Sequence, residues 1–118
     1  MNILEIAYLG DAVYELYIRE YLINNKLGKM KDIQKMSLTF VSAISQRRIL
    51  EDLISNNILT DEEIDLVRIG RNAKGGKSKS SDIITYRYAT GLEYLIGYLY
   101  LNNSERLKLI MTYILEVK

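Results

Sequence analysis

Residues 3–24 read ILEIAYLGDAVYELYIREYLIN, and how they are read decides the fold. Leu4, Ala7, Asp11, Tyr14, Ile18 and Leu22 recur at steps of three and four, which places them on one face of an α-helix. That face is apolar except at Asp11. A carboxylate in a stripe meant for burial costs free energy unless something offsets it. Residues 82–102, DIITYRYATGLEYLIGYLYLN, repeat the anomaly: Tyr86, Ala89, Thr90, Glu93, Ile96, Gly97 and Tyr100 share one side, and Glu93 is the carboxylate among them. Gly10 stands beside Asp11, and Gly91 and Gly97 flank Glu93. A glycine inside a helix costs roughly 1 kcal/mol relative to alanine, and close backbone approach is a common compensation. The two helices are therefore expected to cross near their acids.

Working outward, Asn24-Asn25 and Gly28 mark the end of the first helix. Residues 29–40 carry Met30, Ile33, Met36 and Phe40 at helical steps. Ser42 caps a helix running to about Ser55, with Ile49, Leu50, Leu53 and Ile54 facing in. Thr60 and Glu63 form a capping box for a helix reaching roughly to Asn72. Residues 73–81, AKGGKSKSS, read as a mobile loop. Ser104 caps a last helix, SERLKLIMTYILEV. Ile83-Ile84 is the one pair that suits extended chain, and it is too short to make a strand. The sequence predicts a single all-α domain over residues 1–118, a bundle of about six helices.

Composition removes whole classes of chemistry. The chain has no cysteine, which excludes disulfides and thiolate metal sites and fits a reducing, cytoplasmic setting. It has no histidine, which excludes an imidazole base, a Ser-His-Asp triad and a His-ligated metal. No proline interrupts the helical pattern. The start of the chain does not read as a signal peptide, and no apolar run is long enough to span a bilayer. The formal net charge of +1 conceals a local asymmetry. DEEID at 61–65 holds four acids, whereas residues 68–81 hold five bases and no acid: Arg68, Arg71, Lys74, Lys77 and Lys79.

Three things can offset the two misplaced carboxylates: an ion pair with Lys35 or Arg48, a proton shared between the acids, or a hard cation bound by their oxygens. Periodicity does not choose among them. The basic run reads either as a solvated loop or as a phosphate grip, with Arg71 and Asn72 fixed at the helix end that enters it. Carboxylates fit for a hard metal beside a phosphate grip point to metal-assisted hydrolysis of a phosphodiester. Most of the ten tyrosines suit packing rather than base stacking, and Glu15 with Arg19 forms an exposed i,i+4 pair.

YLGDAVYELYIREYL (8–22) resembles the signature helix of the ribonuclease III endonuclease domain, and TGLEYLIGYLYL (90–101) resembles its second acidic helix. GRNAKGG (70–76), followed by TYRYATGLEYLIGYLYL (85–101), is similar to the short Mini-ribonuclease III branch, which lacks a double-stranded-RNA-binding domain. The resemblance covers nearly the whole chain in order. It implies an all-helical homodimer with the signature helices in the interface. It implies Mg²⁺-dependent cleavage of double-stranded RNA, with Mn²⁺ able to substitute, leaving 5′-phosphate and 3′-hydroxyl ends. The branch's task implies maturation of the 23S ribosomal RNA precursor, with a ribosomal protein or pre-ribosomal particle as partner and no membrane. Asp11 and Glu93 match the family's metal-binding catalytic acids. Arg68, Arg71, Asn72, Lys74, Lys77 and Lys79 are the expected RNA contacts. The larger relatives carry further glutamates four and seven positions before the aspartate, where this chain has Ala7 and Leu4. They also carry an aspartate where it has Thr90, and a further acid near Met30. The mini branch shares this thinning. The rival readings are a double-stranded-RNA-binding helical dimer that does not cut, and a purely structural helical domain.

Overall fold

Helix starts here are set by side chains that take up the free N–H groups of a first turn. A computed structural model describes residues 1–25, 28–73 and 82–117. It consists of α1 (Ile3–Asn24), α2 (Met30–Val41), α3 (Ala43–Ser55), α4 (Asp61–Arg71), α5 (Ile83–Asn102) and α6 (Ser104–Thr112), the last continuing into a π-helical turn at Tyr113–Val117. Asn2, Ser42, Thr60, Asp82 and Asn103 each accept a backbone N–H from three residues on, and Asn2–Glu5 and Thr60–Glu63 are complete capping boxes. The expected cap at Ser104 is therefore corrected: Asn103 does that work, because its amide oxygen reaches the Arg106 N–H. Ile83 and Ile84 open α5 as exposed helical residues rather than extended chain. The all-helical expectation holds, with no strand among the described residues.

α5 is the axis of the bundle, and α1, α3 and α4 pack around it. It is buried on most sides, from Thr85 and Ala89 through Leu92, Leu95 and Ile96 to Leu99, as a core helix must be. The α1 stripe behaves as its spacing predicts: Ala7, Tyr14, Ile18 and Leu22 are all buried. Ile49, Leu50 and Leu53 bring the inner face of α3 into the same core. The α2 stripe does not follow its pattern. Only Ile33 is buried, while Met30 and Met36 are exposed, because this short helix lies at the edge of the bundle.

Glycine sets the central crossing. A Cβ added at Gly10 would fall on the carbonyl oxygen of Glu93, and one added at Gly97 on the carbonyl oxygen of Ile6. At this point α1 and α5 meet backbone to backbone, closer than helices separated by side chains. Gly91 has a different job from the one its position suggested. A Cβ there would lie 2.8 Å from the Val67 carbonyl oxygen, and one at Gly70 would lie 2.6 Å from the Tyr94 Cβ. Gly91 and Gly70 thus make the α4–α5 crossing, not the α1–α5 one.

One buried ion pair ties α4 to α6. Glu63 is 5% exposed and receives Arg106 Nε at 2.7 Å and Nη2 at 2.8 Å, while Nη2 also donates to the Ile58 carbonyl at 2.7 Å. Burial alone would raise the Glu63 carboxyl, but the Arg106 guanidinium and the Thr60 N–H and hydroxyl bring it below its ordinary value.

Gly97→Ala is expected to destabilise the protein by about 1–3 kcal/mol, the usual range for overpacking, because its methyl meets backbone that cannot rotate away. Urea unfolding followed by circular dichroism measures this, and an unchanged midpoint would contradict the crossing geometry.

Candidate active site

The α1–α5 crossing brings the two anomalous acids together. Asp11 and Glu93 line one cavity of about 220 Å³ with Leu4, Ala7, Tyr8, Tyr86 and Thr90. The two carboxyl groups lie close enough to interact, and the side-chain amide of Gln46, from α3, also reaches Glu93. Burial, then the charge of Asp11, pushes the Glu93 carboxyl well above its ordinary value, and the Gln46 amide acts against that rise. Tyr14 lies beside the pair, three positions past Asp11. Its phenol is fully buried and donates to the Phe40 carbonyl at 2.8 Å, and burial, with the charge of Glu93 second, raises its ionisation above the ordinary range.

Of the three offsets left open by periodicity, the ion pair is not the one seen. Lys35 and Arg48 are both exposed, and no Lys or Arg pairs with Asp11 or Glu93 among the described residues. What brings the acids together is the helix crossing itself, and burial with the charge of Asp11 makes the Glu93 carboxyl hold its proton above the ordinary glutamate range. That arrangement suits a divalent cation. The donors are hard carboxylate oxygens, and their mutual repulsion is what a cation in place of the proton would relieve. Among the described residues no group of three or more His, Cys, Asp or Glu gathers at one point, so two carboxylates are what this cavity presents. The positions where larger relatives carry acids, Leu4, Ala7 and Thr90, do face this cavity. The Thr90 hydroxyl is turned to the Tyr86 carbonyl at 3.0 Å.

Of the predicted RNA contacts, Arg68, Arg71 and Asn72 sit at the end of α4. Arg68 is exposed and pairs with Asp65 at 2.7 Å, a surface contact of little energetic weight. Arg71 is half-buried with its guanidinium 5.8 Å from the Tyr88 ring centre, and Asn72 is the C-cap of α4. Lys74, Lys77 and Lys79 lie outside the described residues. The structure adds two arginines that a reading of the basic run passed over. The Arg47 guanidinium lies 5.0 Å from the same Tyr88 ring and donates to the Thr85 hydroxyl at 2.9 Å. Arg87 joins Arg71, Asn72, Ile84 and Tyr88 around a cavity of about 320 Å³. Both fall outside residues 68–81, and the fold brings them to that cluster. Gln46 was missed for another reason: an uncharged amide does not stand out in an amphipathic helix, although it occupies a slot in line with Ile49, Leu50 and Leu53.

With this geometry in view, comparison with known proteins is decisive. The ribonuclease III domain profile matches residues 4–104. The chain belongs to the ribonuclease III family. That makes it an endoribonuclease, in a family that acts on double-stranded RNA and generally depends on a divalent metal. It is 40% identical to Mini-ribonuclease 3 of Staphylococcus aureus over 99% of this chain and 89% of that one. It is 46% identical to Mini-ribonuclease 3 of Desulfitobacterium hafniense over 83% of this chain, and there the match spans 61% of the relative's length. A crystal structure of a Fusobacterium nucleatum protein superposes with a TM-score of 0.83 at 31% identity, covering 99% of this chain and 93% of that one. The ribonuclease III family and the all-α bundle expected from the sequence are both confirmed.

Glu93 also makes the site a source of instability. Because its folded-state carboxyl titrates above its unfolded value, ionisation costs the native state progressively as pH rises from the ordinary glutamate range. Glu93→Gln removes that cost. In EDTA, the variant is expected to exceed the parent in stability by on the order of 1–3 kcal/mol at pH 8, with the advantage shrinking toward pH 5. Urea titrations at the two pH values test this, and a variant less stable at pH 8 would contradict the assignment.

Proposed function

We propose that this chain is a Mg²⁺-dependent endoribonuclease, with Mn²⁺ able to substitute, in which Asp11 and Glu93 hold the metal. The observation that carries this is the pairing of two carboxyl groups, with no cationic partner among the described residues, in one cavity at the α1–α5 crossing. When bound, the ion supplies a water of lowered pKa and neutralises charge at the scissile phosphate. The chain's own contribution is to fix the two oxygen donors on rigid helices and to leave space beside them. Leu4, Ala7 and Thr90 supply no further carboxylate, so RNA phosphate oxygens and water would complete the ion's shell. With no histidine in the chain, no imidazole serves as a base.

The substrate is double-stranded RNA, and within that class we assign the precursor of 23S ribosomal RNA. A-form RNA is read mainly through shape, 2′-hydroxyls and phosphates, which suits a protein that grips with charge rather than with base-specific contacts. Arg68, Arg71 and Asn72, with Lys74, Lys77 and Lys79, form the grip. The unit at work is residues 1–118 as a single catalytic domain, acting in the cytoplasm as a homodimer through α1 and assisted by a ribosomal protein or pre-ribosomal particle. The dimer assignment draws on an unpartnered apolar strip: Leu16 is 57% and Tyr100 50% exposed, and both border a cavity shared with Ala12, Val13, Tyr17 and Leu107.

Two measurements test this reading. Asp11→Asn is expected to keep its fold and lose nearly all cleavage of a labelled double-stranded precursor in Mg²⁺. A parent that binds but never cuts such RNA would instead establish the non-cleaving dimer. Replacing Lys74, Lys77 and Lys79 with alanine is expected to flatten the log–log salt dependence of RNA binding by about 1 for each lost phosphate contact. An unchanged slope removes those lysines from the footprint.

A further inference from the structure

Polar residues interrupt the inner stripes of α1, α3, α4 and α5; the one on α4, Glu63, is paired with Arg106, and the three others bear on the acidic pair. Two are the acids. The third is Gln46 on α3, whose neighbours along the stripe, Ile49, Leu50 and Leu53, are all buried. Gln46 is itself 2% exposed, so a leucine would fit the pattern of the helix better than an amide does. It lies on the face of α3 that packs against α5, and its side-chain amide reaches Glu93. The three interruptions therefore meet at one point, Asp11 from α1, Gln46 from α3 and Glu93 from α5.

From this geometry we infer that Gln46 is a positioning residue: its side-chain amide holds the Glu93 carboxylate in the orientation that binds the divalent ion. The inference rests on the metal-pair reading of Asp11 and Glu93. Other groups around Glu93 do not do the same work. The Tyr14 hydroxyl is already committed to the Phe40 carbonyl. Asp11 would itself be a ligand of the cation, so it is not free to orient Glu93. An amide N–H is an uncharged donor that does not ligate a metal, so it would be able to hold a carboxylate oxygen while the other oxygen faces the ion. It also acts from a third helix. Glu93 is then fixed from α3 as well as by its own backbone, which a side chain with several rotatable bonds needs if it is to meet an ion in one geometry.

The test uses the full chain and the metal alone, then RNA. Gln46→Leu restores the apolar stripe and is expected to melt in EDTA at or above the parent's temperature. Without RNA, the Mn²⁺ concentration that gives half of the metal-induced thermal shift is expected to rise about 10-fold or more, and kcat at fixed Mg²⁺ to fall about 10–100-fold with KM for RNA unchanged, the usual scale for a partner that orients a metal ligand. In a Glu93→Gln background the same substitution is expected to add nothing. A folded Gln46→Leu protein with the parent's Mn²⁺ half-saturation overturns the inference, as does an equal loss in the Glu93→Gln background. If leucine prevents folding, Gln46→Met carries the same comparison with a flexible apolar chain of similar length. A parent showing no metal-induced shift overturns the metal-pair reading and this inference together. A normal parental shift with an unaltered variant overturns the role of Gln46 alone.

Discussion

Where α1 crosses α5 no side chain separates the two backbones, and the rest of the molecule is arranged around that contact. A methyl group at Gly10 or Gly97 would occupy space held by a carbonyl oxygen of the other helix. The approach is therefore fixed by the dimensions of the peptide unit rather than by a choice among side-chain rotamers. Two consequences follow for the carboxylates. Their separation is inherited from the crossing, since Gly10 adjoins Asp11 and its close contact is the Glu93 carbonyl itself. Their surroundings are inherited too, because helices this close exclude water from one side of the pair.

The pair is thus built at a cost to the fold. An apolar residue at either position would pack without a charge to desolvate, and the sequence otherwise keeps to that rule along both stripes. Stability is recovered elsewhere, by the Glu63–Arg106 lock between α4 and α6 and by a core to which α1, α3, α5 and α6 all contribute large apolar side chains. A site strained by its own charge in this way is poised to gain from binding a cation, which is a physical account of why two acids rather than a neat apolar seam occupy the crossing.

Much of this was legible in the sequence because the relevant signals are violations of a period. Asp11 and Glu93 announce themselves by interrupting apolar stripes, and the helix boundaries by Ser42, Thr60 and the acids beside it. What stayed illegible depends on which faces meet. Lys35 and Arg48 look like suitable partners for a buried acid, but each lies on the outer face of its helix, where the side chain reaches water. Gly91 is close to Glu93 along the chain yet faces α4, because successive helical residues point about 100° apart. Met30 and Met36 keep a helical period on a helix with too little neighbouring surface to cover them. Arg47 and Arg87 belong to no charge run and become a cluster only when α3, α4 and α5 are brought together.

The Tyr88 ring has a meaning beyond its two guanidinium neighbours. Arg71 reaches it from the end of α4. Arg47 reaches it while also binding Thr85, whose hydroxyl donates to the α5 cap Asp82 at 3.1 Å. The last turn of α4 and the first turn of α5 are in this way fastened to a common anchor, independently of the residues that join them. The placement of these two helix ends relative to each other is thus set by contacts among the helices' own side chains.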